Sequence, residues 1–173
     1  MPIKRGEIYL FIGFDAEKFS PKMLSRKERR RLNRYPNLAN SNSFKLSRYL
    51  KFKAKKRGKI CISHKENIAV LAISKEKVGV DVEKLKELNF DGVIKFCFNK
   101  KESEIYANAK DKMQKFYEIY TAKEAVIKAK NLAFSDLASV KFDEMERRYL
   151  IINNLFIICL AFKHCKDIIV KFL

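Results

Sequence analysis

Apolar residues in this chain crowd into short runs between lysine-rich stretches, and the spacing inside each run separates strands from helices. Glu7 to Phe14 (EIYLFIGF) is dense in β-formers and predicts a buried strand. Ser25-Arg26-Lys27-Glu28 has the Ser-x-x-Glu form of a capping box. It opens a short, very basic helix to about Arg34, ended at Tyr35-Pro36-Asn37 because proline disfavours helix at the residue before it. A second helix is predicted over Ser41 to Lys56, with Phe44, Leu46, Tyr49, Leu50 and Phe52 apolar and lysines outside. Lys59 to His64 and Asn67 to Ser74 read as a hairpin turning at Lys65-Glu66, and Val78 to Glu83 as a further strand.

Helical pattern returns over Asp91 to Ala109 and over Met113 to Lys130. The tail reads as β, with strands at Ser139 to Asp143, Tyr149 to Asn153, Phe156 to Lys163 and Asp167 to Phe172. A coarse self-similarity runs through this order: Ile-Ala-Val-Leu-Ala-Ile-Ser after a polar turn in the first half is echoed by Phe-Ile-Ile-Cys-Leu-Ala-Phe after Asn-Asn in the second. The expected organisation is an α+β fold of two similar lobes, residues 1–76 and 77–173, meeting near residues 74 to 80 without a flexible linker.

Composition narrows the function classes. With 173 residues, 47% hydrophobic and 34% charged, the chain has the mix of a folded domain, which argues against disorder. Lys plus Arg is 38 against 20 Asp plus Glu, and the resulting +18 predicts an acidic partner. Nucleic acid, an anionic membrane surface, a phosphorylated small molecule and an acidic protein all qualify. Cys61, Cys97, Cys159 and Cys165 form no C-x-x-C pair, so neither a zinc ribbon nor a redox motif is present, and reduced thiols are expected. The run Ile8 to Phe14 is too short for a signal h-region, and Leu150 to Phe162, broken by Asn153-Asn154, falls short of the ~20 residues of a membrane span. A soluble, cytoplasmic protein is expected.

Three segments carry candidate chemistry. In Gly79-Val80-Asp81-Val82-Glu83, residues two apart share a face of the strand, so Asp81 and Glu83 project side by side while the valines bury the other face. Such a pair is either a solvated acidic face or a set of hard oxygen ligands suited to Mg²⁺. Around Phe116 to Lys128, Tyr120, Glu124 and Lys128 fall on one helical stripe. Glu124 and Lys128 are then either a surface ion pair or, if the helix packs on the acidic strand, a third carboxylate and a cation beside the ligand. Ile62-Ser63-His64 ends a strand, and its histidine is either a structural hydrogen-bonding group or a ligand contact. There is no nucleophile elbow, P-loop or G-x-G-x-x-G.

Taken in order, Ile62-Ser63-His64, Gly79-Val80-Asp81-Val82-Glu83 and Tyr120-x-x-Lys123-Glu124-Ala125-x-x-Lys128 resemble the 4′-phosphopantetheinyl transferase superfamily, in its two-lobed, surfactin synthetase activator-like form. The resemblance implies a monomer whose lobes form a pseudo-dimer. It implies Mg²⁺-dependent transfer (Mn²⁺ being the alternative ion) of the phosphopantetheine arm of coenzyme A to a serine of an acyl or peptidyl carrier protein, releasing adenosine 3′,5′-bisphosphate. The activity is that of a holo-acyl-carrier-protein synthase, as in fatty acid biosynthesis. Carried over by position, Asp81, Glu83 and Glu124 hold the metal, and Glu124 is also the general base, directly or through water. Lys128 touches the phosphate that takes the transferred charge, His64 contacts coenzyme A phosphates, and Lys59, in place of the family's Gly-Lys segment, helps bind the adenylate end. An acidic carrier suits the +18 charge, and neither nucleic acid nor membrane is an expected partner. Tyr120 stands where tryptophan is commonest, and Asn131 and Ala133 stand where the family has a Gly-x-Gly turn. Asn131 tolerates the left-handed conformation a helix end requires there. The rival reading is a basic nucleic-acid-binding module without catalysis, which the Ser25 to Arg34 helix allows. It gives no role to Asp81, Glu83 and Glu124.

Overall fold

The computed structural model describes residues 2–173. Its elements run β1 (Glu7–Gly13), α1 (Arg26–Arg34), α2 (Asn42–Ala54), β2 (Lys59–Lys65), β3 (Ile68–Ser74), β4 (Val78–Lys84), α3 (Asp91–Cys97), α4 (Lys100–Ala107), α5 (Lys112–Lys130), β5 (Glu146–Ile152), β6 (Phe156–Phe162) and β7 (Asp167–Phe172). Two sheets form, one in the order β2-β3-β1-β7 and one in the order β4-β6-β5. All pairings are antiparallel except β1 with β7, which run parallel with Ile8 opposite Ile168. The fold is α+β, as expected, and the final strand returns to the first sheet.

Strand alternation explains the layering. Ile8, Leu10 and Ile12 of β1 join Ile68, Val70 and Ala72 of β3 on one face, and these pack against Val80, Val82, Ile158 and Leu160 of the second sheet. On the reverse face, Tyr9, Phe11, Leu71 and Ile73 receive Leu46, Tyr49 and Leu50 from α2. The outer face of the second sheet receives Ala122, Ala125 and Val126 from α5 against Cys159 and Ala161. Each buried aliphatic side chain contributes ~1.5–3 kcal/mol relative to exposure, and both sheets are covered on both faces.

The local signals are visible in the structure. Ser25 caps α1 with a reciprocal capping box to Glu28, and α1 ends at Tyr35. Asn131 closes α5 at φ +58°, while Asn153 and Asn154 turn the β5–β6 hairpin at φ +52° and +54°. All four cysteines are free. Among the described residues no helix is long and apolar enough to cross a membrane.

Three expectations are corrected. The helix over 91–109 is two helices, because Asn99 leaves the helical conformation to cap α4 in a capping box with Glu102. The strand expected over Ser139 to Asp143 does not form. Its Phe142 N–H is taken by Glu102 Oε1 at 3.0 Å instead of a strand partner, and β5 begins later, at Glu146. Finally, β2 continues through Lys65, and the turn falls at Glu66, whose φ is +49°.

Candidate active site

The strand β4 is an edge of the second sheet, and α5 crosses it at very short range. A Cβ on Gly79 would lie 1.8 Å from the Ala125 carbonyl oxygen, so only glycine permits this approach. The close contact sets Glu124 and Lys128, one helical turn apart, over the next β4 residue on that face, Asp81. Asp81 is buried, at 3% exposure. Its Oδ1 accepts from Lys128 Nζ at 2.6 Å and from Ser63 Oγ at 2.8 Å, and Lys128 also donates to Ser63 Oγ at 3.1 Å. Glu124 Oε2 lies 3.9 Å from the same ammonium, and Tyr120 donates its hydroxyl to Glu124 Oε1 at 3.4 Å.

The first sheet supplies the other wall. Its edge strand β2 runs beside β4, joined to it by side chains instead of a backbone ladder. Alternate residues form the rungs. The Cys61 thiol accepts from Val80 N–H at 3.2 Å and donates to Val80 O at 3.7 Å, Ser63 reaches Asp81, and Lys65 Nζ lies 2.6 Å from Glu83 Oε2.

The electrostatics follow from this crowding. Burial raises the Glu124 pKa above the usual carboxylate range and the Asp81 charge raises it further, against the opposing pull of Lys128 and the Tyr120 hydroxyl. For Glu83, burial is again the largest cause; the Lys65 hydrogen bond opposes it and the Asp81 charge adds to it, and the net shift is upward. Burial works against the Lys128 ammonium, yet the charge and hydrogen bond of Asp81, with Glu124, outweigh it and raise the Lys128 pKa. Burial also pushes the Tyr120 phenol up, with Glu124 adding to the shift.

Among the described residues, no three His, Cys, Asp or Glu side chains are gathered closely enough to hold a metal ion in this arrangement. Lysine ammoniums stand against the acids instead. The donor set nevertheless fits a hard divalent cation in kind, since carboxylate oxygens are its preferred ligands. Asp81 Oδ2 is buried without a hydrogen-bond partner, a costly state that a cation would relieve.

A family profile described as the 4′-phosphopantetheinyl transferase superfamily matches residues 77–170, from the start of β4 into β7. The chain belongs to this superfamily. Phosphopantetheine transfer is the family's activity in general, with coenzyme A and a carrier protein as partners. No curated protein matches the chain in sequence.

The matched stretch contains Asp81, Glu83, Glu124 and Lys128; the structure brings Asp81, Glu124 and Lys128 together at the β4–α5 contact, while Glu83, two residues along β4 from Asp81, pairs with Lys65 of β2. His64 and Lys59 lie apart from them. His64 points from β2 to the side opposite Ser63, where it lines a cleft of ≈300 Å³ with Arg31, Ser43, Ser47 and Arg48. Lys59 opens β2, and five steps along the strand at ~3.4 Å each carry the chain from it to His64. The sequence pattern missed Lys65 because ending the strand at His64 placed it in a turn. Period-two alternation carried to the true strand end puts it with Ser63. Lys123, present in the helix motif but given no role there, is fully buried and 2.7 Å from Glu102 Oε2. Glu102 also accepts from the N–H groups of Asn99 and Phe142, so it ties α4, α5 and the approach to β5 together. Its one sequence signal is the Asn99-x-x-Glu102 capping box.

Proposed function

We propose that the protein transfers the 4′-phosphopantetheine arm of coenzyme A to a serine hydroxyl of an acidic apo acyl or peptidyl carrier protein, releasing adenosine 3′,5′-bisphosphate. The observation that carries this reading is the buried Asp81, with an unsatisfied oxygen, between Glu83, Glu124 and Lys128. A nucleic-acid reading accounts for the charge on α1 but leaves a buried carboxylate cluster without purpose, since carboxylates repel phosphate.

Asp81, Glu83 and Glu124 would hold Mg²⁺. Bound there, the ion neutralises pyrophosphate charge and polarises the phosphoryl group toward attack. The remaining work falls to side chains. Glu124 accepts the proton of the attacking serine, directly or through water. The new bond joins serine Oγ to the phosphorus that bears the pantetheine. The bond broken is that phosphorus to the bridging pyrophosphate oxygen, and Lys128, held at Asp81, stabilises the charge that builds on the phosphate oxygens. Ser63 fixes both Lys128 and Asp81. The cleft that His64 shares with the guanidiniums of Arg31 and Arg48 offers positive charge and hydrogen-bond donors for phosphate outside the reacting pair, and this supports the His64 contact to coenzyme A. The geometry favours Lys59 less, since it lies at the far end of β2.

The test is incubation with coenzyme A, Mg²⁺ and an apo carrier protein, read as the mass gain of one phosphopantetheine arm. Wild type should modify the carrier, and Glu124→Gln should lose more than the ~10²–10⁴-fold of a missing base, because a ligand is weakened too. Lys128→Ala should retain a residual rate above that of Glu124→Gln. No mass gain with any apo carrier, or full activity in Glu124→Gln, refutes the reading.

A further inference from the structure

None of the roles above uses Lys65. It stands two residues beyond Ser63 on the same face of β2, and its ammonium lies 2.6 Å from Glu83 Oε2. The lysine side chain is 43% exposed and the carboxylate it holds only 18%, so the lysine stands at the mouth of the site and the acid beneath it. Lys128 is fixed differently, by Asp81, Ser63 and Glu124 together. Among the described residues, Glu83 is the one ion-pair partner of Lys65. A lysine on a flexible four-carbon stem can leave a single half-exposed partner at small cost. A divalent cation on Glu83 would repel an ammonium held in hydrogen-bond contact with the same carboxylate, so the two compete for it.

We propose that Lys65 is an exchangeable counter-ion of the site: it holds Glu83 in the free protein, yields it to the divalent cation, and then binds the phosphate oxygens of the anionic substrate. This rests on the metal and pyrophosphate reading given above. It makes two predictions of opposite sign. Removing the ammonium removes a competitor for Glu83, so a divalent cation alone binds more tightly. The same change removes a phosphate partner, so coenzyme A binds more weakly once the cation is present. A lysine that merely supports the fold would move both affinities together or neither.

The experiment uses Lys65→Gln and Lys65→Met, with thermal melts to confirm folding. Mn²⁺ binding without coenzyme A is followed by electron paramagnetic resonance, and coenzyme A binding at saturating Mn²⁺ by calorimetry. Mn²⁺ should bind about two- to five-fold tighter in both variants, the scale of a partly exposed ion pair. Coenzyme A should bind about ten-fold more weakly, the scale of a hydrogen bond to a charged group. Mn²⁺ affinity unchanged or weakened in the variants, or coenzyme A affinity unchanged, overturns the proposal and leaves the metal site standing. No Mn²⁺ binding by the wild-type protein overturns the proposal and the metal reading together.

Discussion

Replacing Gly79 with alanine adds one methyl group at the point where α5 meets β4. That methyl would lie 1.8 Å from the Ala125 carbonyl oxygen and 2.8 Å from both the Ala125 carbonyl carbon and the Ala129 nitrogen. All three are backbone atoms of a 19-residue helix, so no rotamer change relieves the clash. Restoring an ordinary contact near 3.4 Å requires α5 to lift by about 1.6 Å. Overpacking of this kind costs ~1–3 kcal/mol or more, which in a chain of this size lowers Tm by roughly 2–12 °C. The same lift draws Lys128 and Glu124 away from Asp81. Lys128 Nζ sits 2.6 Å from Asp81 Oδ1, so the movement would break that hydrogen bond. A misplacement of about 1 Å can cost ~10²-fold in rate, so Gly79→Ala should lose at least that much in kcat while remaining folded. Urea unfolding and steady-state transfer kinetics on the one variant measure both effects. Stability within ~0.5 kcal/mol of wild type together with unaltered kcat would refute the argument that backbone approach at Gly79 sets the site.

The helix α1 buries no residue and is tied to the body through Glu28, which lies 3.0 Å from Arg48 Nε and 3.5 Å from Lys51 Nζ. Burial raises the Glu28 pKa, but the Ser25 hydrogen bonds and the two cations outweigh it and hold it below its ordinary 4.5. A depressed acid stabilises above the unfolded pKa and loses that contribution as pH falls through the folded one. The amide signals of Arg26–Arg34 should therefore keep their helical shifts at pH 6 and lose them below about pH 4.5, and a Glu28→Gln variant with the same acid step would contradict this. Lys123→Met should strand Glu102 in the core and cost ~3–5 kcal/mol, with the Lys123→Met/Glu102→Leu pair recovering part of the loss. Urea midpoints for the two variants decide it, and a single-variant cost under ~1 kcal/mol would remove the buried pair from the account.

The elements were legible where a local rule acts alone. Ser25 and Glu28 announce α1, Asn153-Asn154 announces its hairpin, and strand alternation in β1 and β3 separates the two faces of the first sheet. Errors came where a tertiary bond overrides local preference. Phe142 lies in a β-rich stretch, but its N–H goes to Glu102, forty residues earlier in the chain. The acids of the site were legible because Asp81 and Glu83 share a strand face and Glu124 and Lys128 share a helix face. The contact that joins these faces depends on the missing side chain of Gly79, and an absence leaves no hydrophobic pattern. Lys65 escaped notice because a one-residue error at a strand end hides a side chain from the alternation rule.

The site belongs to neither sheet alone. β2 and β4 are both edge strands, which ordinarily present open backbone groups to any passing strand. Here Cys61 satisfies both the N–H and the carbonyl of Val80 with one thiol, closing the edge without a ladder. Had the strands paired by backbone, they would lie ~4.8 Å apart and their side chains would turn to the two faces. Bridging by side chains points Ser63 and Lys65 at Asp81 and Glu83, and it gathers charge in a gap between sheets. Three carboxylates (Asp81, Glu83, Glu124) against two ammoniums (Lys65, Lys128) leave a formal −1 when all are ionised, in a chain that carries +18 overall. A pocket at −1 repels pyrophosphate. A divalent cation bound there, as proposed, would turn it to +1, and the same side chains would then attract the ligand they otherwise exclude. On the proposed transferase reading, the sign of the local charge, opposite to that of the whole protein, would make metal binding a precondition for the anionic substrate.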